Sequence, residues 1–108
     1  MDREAMTPRI TVDRPAMEAF CGRWKISQLA LFGSVLRDDF GPDSDVDVLV
    51  TFAPDAAWTL FDYSDMQEQL AAIVGRQVEI VNRAAIERSS NWIRRRAILE
   101  GAELFYAA

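Results

Sequence analysis

Hydrophobic residues follow two different periods along this chain, one typical of strands and one typical of helices. The apolar run at 26–32 and the alternation in VDVLVTF at 46–52 predict two strands that lie side by side. A third strand is predicted over Gln77 to Val81, and apolar spacings of three and four between these segments indicate amphipathic helices. We therefore predict an α/β (α+β) fold, a small mixed sheet of about three to four strands flanked by helices.

Four helices are predicted from apolar spacing and end signals. The first begins after Asp13 as N-cap, the second ends at Gly75, a short third covers Arg83 to Glu87, and the last begins at Asn91 and runs through RRRAILEGAELFYAA. Each long helix has an apolar side expected to face the core. These sides comprise Met17, Phe20, Cys21 and Trp24; Leu60, Tyr63, Met66, Leu70, Ile73 and Val74; and Ile93, Ala97 and Leu104. The chain is expected to be one domain over 1–108, with 1–12 flexible.

Two carboxylates stand at the start of the second strand. Asp45 and Asp47 are two residues apart and therefore emerge on one face, while the valines between and after them face the other way. Carboxylates this close repel each other, so an offsetting cation or solvent is required. Mg²⁺ fits this pattern, because it takes one or two protein carboxylates and completes its shell with water and substrate phosphate oxygens.

A Gly33-Ser34 pair follows the first strand. Glycine allows a phosphate to approach the main chain closely, a serine hydroxyl adds a hydrogen bond, and the start of a helix carries partial positive charge. Arg37 is placed to add a full positive charge. The turn-forming stretch Asp38 to Ser44 then returns the chain, so that Gly33-Ser34 and the two aspartates can face one cleft.

The joint pattern G-S-x-x-R-x-D-x(5)-S-D-x-D-x-L-V-x-F resembles the signature of minimal nucleotidyltransferases in the polymerase β-like superfamily. Over nearly its whole length the chain is similar to the small antitoxin members of that family. The matching residues are Gly33, Ser34, Arg37, Asp39, Ser44, Asp45, Asp47, Leu49, Val50 and Phe52. The resemblance implies the polymerase β-like nucleotidyltransferase fold and transfer of a nucleoside monophosphate from a nucleoside triphosphate.

The family resemblance also implies a third carboxylate, and the matching residue is Glu79. Most active relatives have aspartate there, so Glu79 is a departure whose extra methylene shifts the carboxylate by more than about one ångström. Strand alternation still places Glu79 opposite to Val78 and Ile80, on the side where Asp45 and Asp47 can meet it.

The site residues implied by this resemblance divide into two groups. Asp45, Asp47 and Glu79 are predicted to be catalytic and to bind metal, with two Mg²⁺ ions about 4 Å apart. Gly33, Ser34, Arg37 and Ser44 are predicted to bind the phosphates of ATP or another nucleoside triphosphate. Since the chain contains no histidine, carboxylates are the plausible proton acceptors for displacement at the α-phosphorus.

Composition restricts the acceptor and the compartment. With 108 residues and a net charge of −5, the chain is expected to bind no nucleic acid directly and to use a protein acceptor. The resemblance implies that this acceptor is a HEPN-type toxin, because the antitoxin branch of the family is paired with such toxins. Some members of that branch adenylylate a tyrosine of the toxin. A single cysteine and the lack of a roughly 20-residue apolar run favour the cytoplasm over a membrane.

Other surface features have simpler interpretations. Arg94, Arg95 and Arg96 are taken as the solvated side of the last helix. Trp92, Phe105 and Tyr106 are taken as packing of that helix on the sheet, although exposed aromatics are also enriched at interfaces. Assembly with itself or with another chain is left open.

Three function hypotheses follow from the sequence. The first is an antitoxin enzyme that transfers a nucleotide, AMP being favoured, to a hydroxyl of its toxin. The second is a non-catalytic antitoxin that neutralises by binding, motivated by Glu79. The third is a nucleotidyltransferase for small molecules, which requires an acceptor cleft.

Overall fold

The computed structural model describes residues 4–6, 11–33 and 45–107, with side chains from Val12 onward. Its helices and strands, numbered in chain order, are β1 Glu4–Met6, β2 Thr11–Asp13, α1 Arg14–Arg23, β3 Ile26–Phe32, β4 Val46–Phe52, α2 Leu60–Val74, β5 Val78–Asn82, α3 Arg83–Glu87, α4 Trp92–Gly101 and β6 Glu103–Ala107.

The main sheet has four strands in the order β5-β4-β3-β6. β4 and β5 are parallel, because α2 carries the chain back between them, and the other two pairs are antiparallel. The predicted mixed sheet flanked by helices is confirmed.

Each face of the sheet packs against its own helices. Val46, Val48 and Val50 point to the face covered by α1 and α2, where Met66 and Leu70 are fully buried. Ala30 and Leu49 point to the opposite face and pack against Ile86 of α3 and Ile98 of α4. Alternation along β4 therefore separates a large apolar core from a smaller one.

Local signals set the helix ends, as predicted for Asp13 and Gly75. The Asp13 carboxylate accepts a hydrogen bond from the Ala16 backbone N–H at 3.5 Å, and Pro15 lies in the first turn of α1. Thr59 and Asp62 form a reciprocal capping box at the start of α2. Gly75 ends that helix at φ +73°, a conformation that glycine adopts without a Cβ penalty.

Two short strands, β1 and β2, form at the start of the chain, where the sequence predicted a flexible segment and no strand. β1 and β2 pair antiparallel, with Ala5 opposite Val12. Val12 is completely buried in the larger core, which explains why the strand forms: its side chain completes the packing of α1 and α2.

The prediction of one helix from Asn91 to the C-terminus is also wrong. α4 ends at Gly101, and β6 pairs with β3, so that Leu104 lies opposite Ala30. β-Propensity favours this outcome, since Leu104 precedes the aromatic residues Phe105 and Tyr106, both partly buried against the larger core. Without β6, one edge of β3 would be left unpaired.

Four residues predicted to face the core, Leu60, Ile93, Ala97 and Leu104, are instead exposed. The solvent-exposed fractions are 87% for Leu60, 64% for Ile93 and 62% for Leu104. In the described part of the chain, no helix is long and apolar enough to span a bilayer.

Candidate active site

Asp47 lies in the middle of a row of three side chains that crosses the sheet. Its register partner on β3 is Phe32, and its partner on β5 is Glu79. Register partners on adjacent strands point to the same face, with backbones about 5 Å apart. The sheet therefore presents the Asp47 and Glu79 carboxylates side by side, Asp47 half-buried and Glu79 exposed.

Gly33 is packed directly against the Asp47 carboxylate. Its φ is +77°, and a Cβ built on it would overlap Asp47 Oδ2 and lie 3.2 Å from Cγ. Any other residue would therefore be strained in its backbone and would displace the carboxylate. Glycine was predicted here for close approach of a phosphate, whereas the structure shows a second requirement, which is room for Asp47.

Asp45 lies immediately before β4 and is exposed. The backbone N–H of Val46, the next residue, donates to the Gln77 carbonyl oxygen at 2.8 Å, which fixes the start of β4 against the segment entering β5. Asp45 and Asp47 thus flank an anchored residue. The other predicted phosphate ligands, Ser34, Arg37 and Ser44, lie outside the described residues.

The donor set of this region fits a hard cation. Asp45, Asp47 and Glu79 offer carboxylate oxygens alone, the ligand type that Mg²⁺ prefers. Within residues 11–33 and 45–107, no three acidic or cysteine side chains approach closely enough to hold one ion. Participation of Glu79 in a metal site therefore stays a prediction.

Gln67 of α2 holds the free edge of β5 beside this row. Its side-chain Oε1 accepts a hydrogen bond from the Ile80 backbone N–H at 2.9 Å, one residue after Glu79. The backbone of an edge strand otherwise requires water or another partner. Sequence reasoning missed this contact, because a glutamine on an amphipathic helix carries no signal for a strand thirteen residues away.

Replacing Gln67 with alanine is expected to lower the free energy of unfolding by about 1 kcal/mol, because the Ile80 N–H loses its partner. Gln67→Glu keeps an acceptor oxygen and is the matched control. Urea unfolding of both variants measures the difference. Equal stability of Gln67→Ala and wild type would show that the hydrogen bond does not hold β5.

Two other candidate features lie outside this site. A cavity of about 470 Å³ lies toward the opposite end of β4 and includes Thr51 and Arg83, but none of the predicted site residues lines it. Burial raises the pKa of the Cys21 thiol to about 12, so it stays protonated near neutral pH and is not a nucleophile.

Comparison with known proteins identifies the class of protein, which is a nucleotidyltransferase. A model of the nucleotidyltransferase domain family matches residues 15–104. The chain belongs to this family.

Three similar proteins illustrate the relationship. Protein adenylyltransferase MntA from Thermococcus cleftensis is 31% identical over 65 residues, which cover 60% of this chain and 64% of that protein. A solved structure provisionally assigned as a minimal nucleotidyltransferase is 30% identical, with a TM-score of 0.62, covering 83% of this chain and 86% of the other. A complex of tri-AMPylated Shewanella oneidensis HEPN toxin with MNT antitoxin has a matching chain at 16% identity and a TM-score of 0.57, covering 87% and 69% of the two chains. The match spans less than two thirds of the length of MntA.

Proposed function

We propose that this chain is an antitoxin of the protein adenylyltransferase type, which transfers AMP from ATP to a hydroxyl group of a HEPN-type toxin in the cytoplasm. The observation that carries the proposal is the Asp47 carboxylate, seated against Gly33 and in register with Glu79. Family membership supports nucleotidyl transfer, and the similarity to MntA and to the toxin-bound antitoxin supports a protein acceptor.

The residues divide the work of substrate binding. Asp45 and Asp47 would hold Mg²⁺, which when bound neutralises phosphate charge and stabilises the attacking and leaving oxygens. The Gly33 backbone, with Ser34, Arg37 and Ser44, would bind the phosphates. Positioning and charge stabilisation account for most catalysis in phosphoryl and nucleotidyl transfer.

Displacement at the α-phosphorus requires a proton acceptor. The acceptor oxygen forms a bond to the α-phosphorus, the bond to the bridging oxygen of the β-phosphate breaks, and pyrophosphate leaves. Glu79 would take the proton of the attacking hydroxyl, since it is exposed on the same sheet face as Asp47 and the chain contains no histidine.

A second candidate function is neutralisation by binding alone. The observation that favours it is Glu79. Its backbone is in register with Asp47, so a side chain one methylene longer than aspartate carries the carboxylate past the position that an aspartate would occupy. If Glu79 cannot reach a productive position, the fold still presents a surface to the toxin.

The position of a radioactive label separates these functions. We expect label from [α-³²P]ATP, and none from [γ-³²P]ATP, to enter the protein encoded beside this chain, which the proposal takes to be its toxin, when Mg²⁺ is present. Toxin neutralisation with no label in any product would favour the binding antitoxin. Label in small alcohols or amines, without any protein acceptor, would favour a small-molecule enzyme and contradict our proposal.

A further inference from the structure

The first turn of α4 exposes two large apolar side chains. Trp92 is 57% exposed and Ile93 is 64% exposed, whereas the packed side of the helix is formed by Ile98, with Leu99 and Ala102 partly buried beside it. Neither residue is needed to cover the sheet. Exposed tryptophan is costly to leave in water and is enriched at protein interfaces.

Positive charge is concentrated around these two residues. Five arginines and two glutamates give residues 83–101 a net charge of +3, while the whole chain carries −5. Arg95 donates to the Ser89 carbonyl oxygen, and Arg96 pairs with Glu100 at 3.1 Å. Within the described residues, no ion pair engages Arg88 or Arg94, both of which are exposed.

This charge stands at the unfavourable end of α4. The N-terminus of a helix carries partial positive charge, so acidic residues stabilise it and cations do not. The first turn of α4 has no acidic residue and contains Arg94. Local stability therefore does not account for the arrangement, and mismatches of this kind are expected at functional surfaces.

We propose that Arg88, Trp92, Ile93 and Arg94, here called the α4 surface, dock an acidic surface of a protein partner that has an apolar centre. This proposal rests on the proposed function, because it takes the toxin as the partner. Charge complementarity selects an acidic partner, and the apolar pair selects a protein rather than RNA, since the remainder of the chain is acidic and would repel phosphates.

The α4 surface is separate from the carboxylates. The chain reaches Arg88 and Trp92 from the C-terminal end of β5, whereas Asp47 and Glu79 lie near the N-terminal ends of β4 and β5. Docking and transfer can therefore be changed independently. A partner held at the α4 surface would present its acceptor hydroxyl at the other end of the sheet.

Calorimetric titration with the protein encoded beside this chain tests the proposal. We expect Trp92→Ala and Arg88→Glu/Arg94→Glu each to weaken binding at least about tenfold, and the wild-type affinity to fall between about 0.05 and 0.5 M NaCl. Matched controls are Phe61→Ala, an 84% exposed aromatic on α2, and Arg14→Glu/Arg23→Glu on α1. The controls are expected to bind within about twofold of wild type. Unchanged circular dichroism and urea midpoints would exclude misfolding.

Other outcomes overturn the proposal in distinguishable ways. If both α4 variants bind with wild-type affinity, the α4 surface is not the docking site, and the proposed adenylyl transfer is unaffected. Tight binding of a labelled single-stranded RNA, lost in Arg88→Glu/Arg94→Glu, would assign the surface to nucleic acid. If the wild-type chain does not bind the neighbouring protein but still labels small acceptors, both the α4 surface as a docking site and the toxin as the partner are rejected.

Discussion

Asp47→Asn is expected to reduce AMP transfer by about 10²–10³-fold, the range observed when one preorganised charge-stabilising group is lost from a catalytic site. Asparagine has nearly the same shape as aspartate, so the seat against Gly33 and the register with Glu79 are kept while the negative charge is removed. The variant is expected to stay folded, because the near-isosteric side chain adds no volume beside Gly33. Initial rates of label transfer and urea unfolding measure the two effects.

Asp55→Asn is the matched control for this prediction. Asp55 is an exposed aspartate paired with Lys25 at 3.1 Å, and that pairing lowers the pKa of its carboxyl group. Its replacement is expected to leave transfer within about twofold of wild type, since exposed ion pairs contribute little. Equal rates for Asp47→Asn and Asp55→Asn would exclude Asp47 from the reaction.

Gly33→Ala is expected to cost about 10²-fold in transfer, because the new Cβ must push the Asp47 carboxylate from its seat, and a displacement near one ångström has this effect at a preorganised site. The positive φ adds backbone strain of roughly 1–2 kcal/mol. Both consequences follow from one methyl group, and they are measured by transfer rates and by urea unfolding.

Gly75→Ala separates strain from displacement. Gly75 has a similar φ of +73°, but a Cβ there would meet nothing within 4 Å. A comparable loss of stability with full transfer is therefore expected. Full transfer by Gly33→Ala would show that the space beside Asp47 is not required, and a matching loss of transfer in Gly75→Ala would attribute the effect to stability alone.

Much of the fold was predictable because its signals are local. The alternation in β4, the Asp13 cap and Gly75 each act within a few residues, and the structure places the corresponding strand and helix ends where these signals indicate. Within the candidate site, alternation also placed Asp47 and Glu79 on one face. Their common register is consistent with that prediction.

The remainder depends on contacts between distant segments. β6 forms because the edge of β3 needs a partner, and the helical spacing of Ile93, Ala97 and Leu104 gives no sign of that need. Two other contacts also join distant segments. Val12 packs into a core built by α1 and α2, and Gly33 contacts Asp47 because β3 pairs with β4. Exposure of Trp92 likewise depends on which side of α4 packs against the sheet, and that side is the one that carries Ile98.

Metal binding in the presence of ATP tests the central claim most directly, because it needs no partner. Titration of Mn²⁺ in place of Mg²⁺, followed by electron paramagnetic resonance, reports the bound ion. We expect wild type to bind Mn²⁺ together with ATP, and Asp45→Asn/Asp47→Asn to lose at least about 10-fold in affinity while remaining folded. Equal Mn²⁺ affinity in the double variant and wild type would contradict an active site built on Asp45 and Asp47.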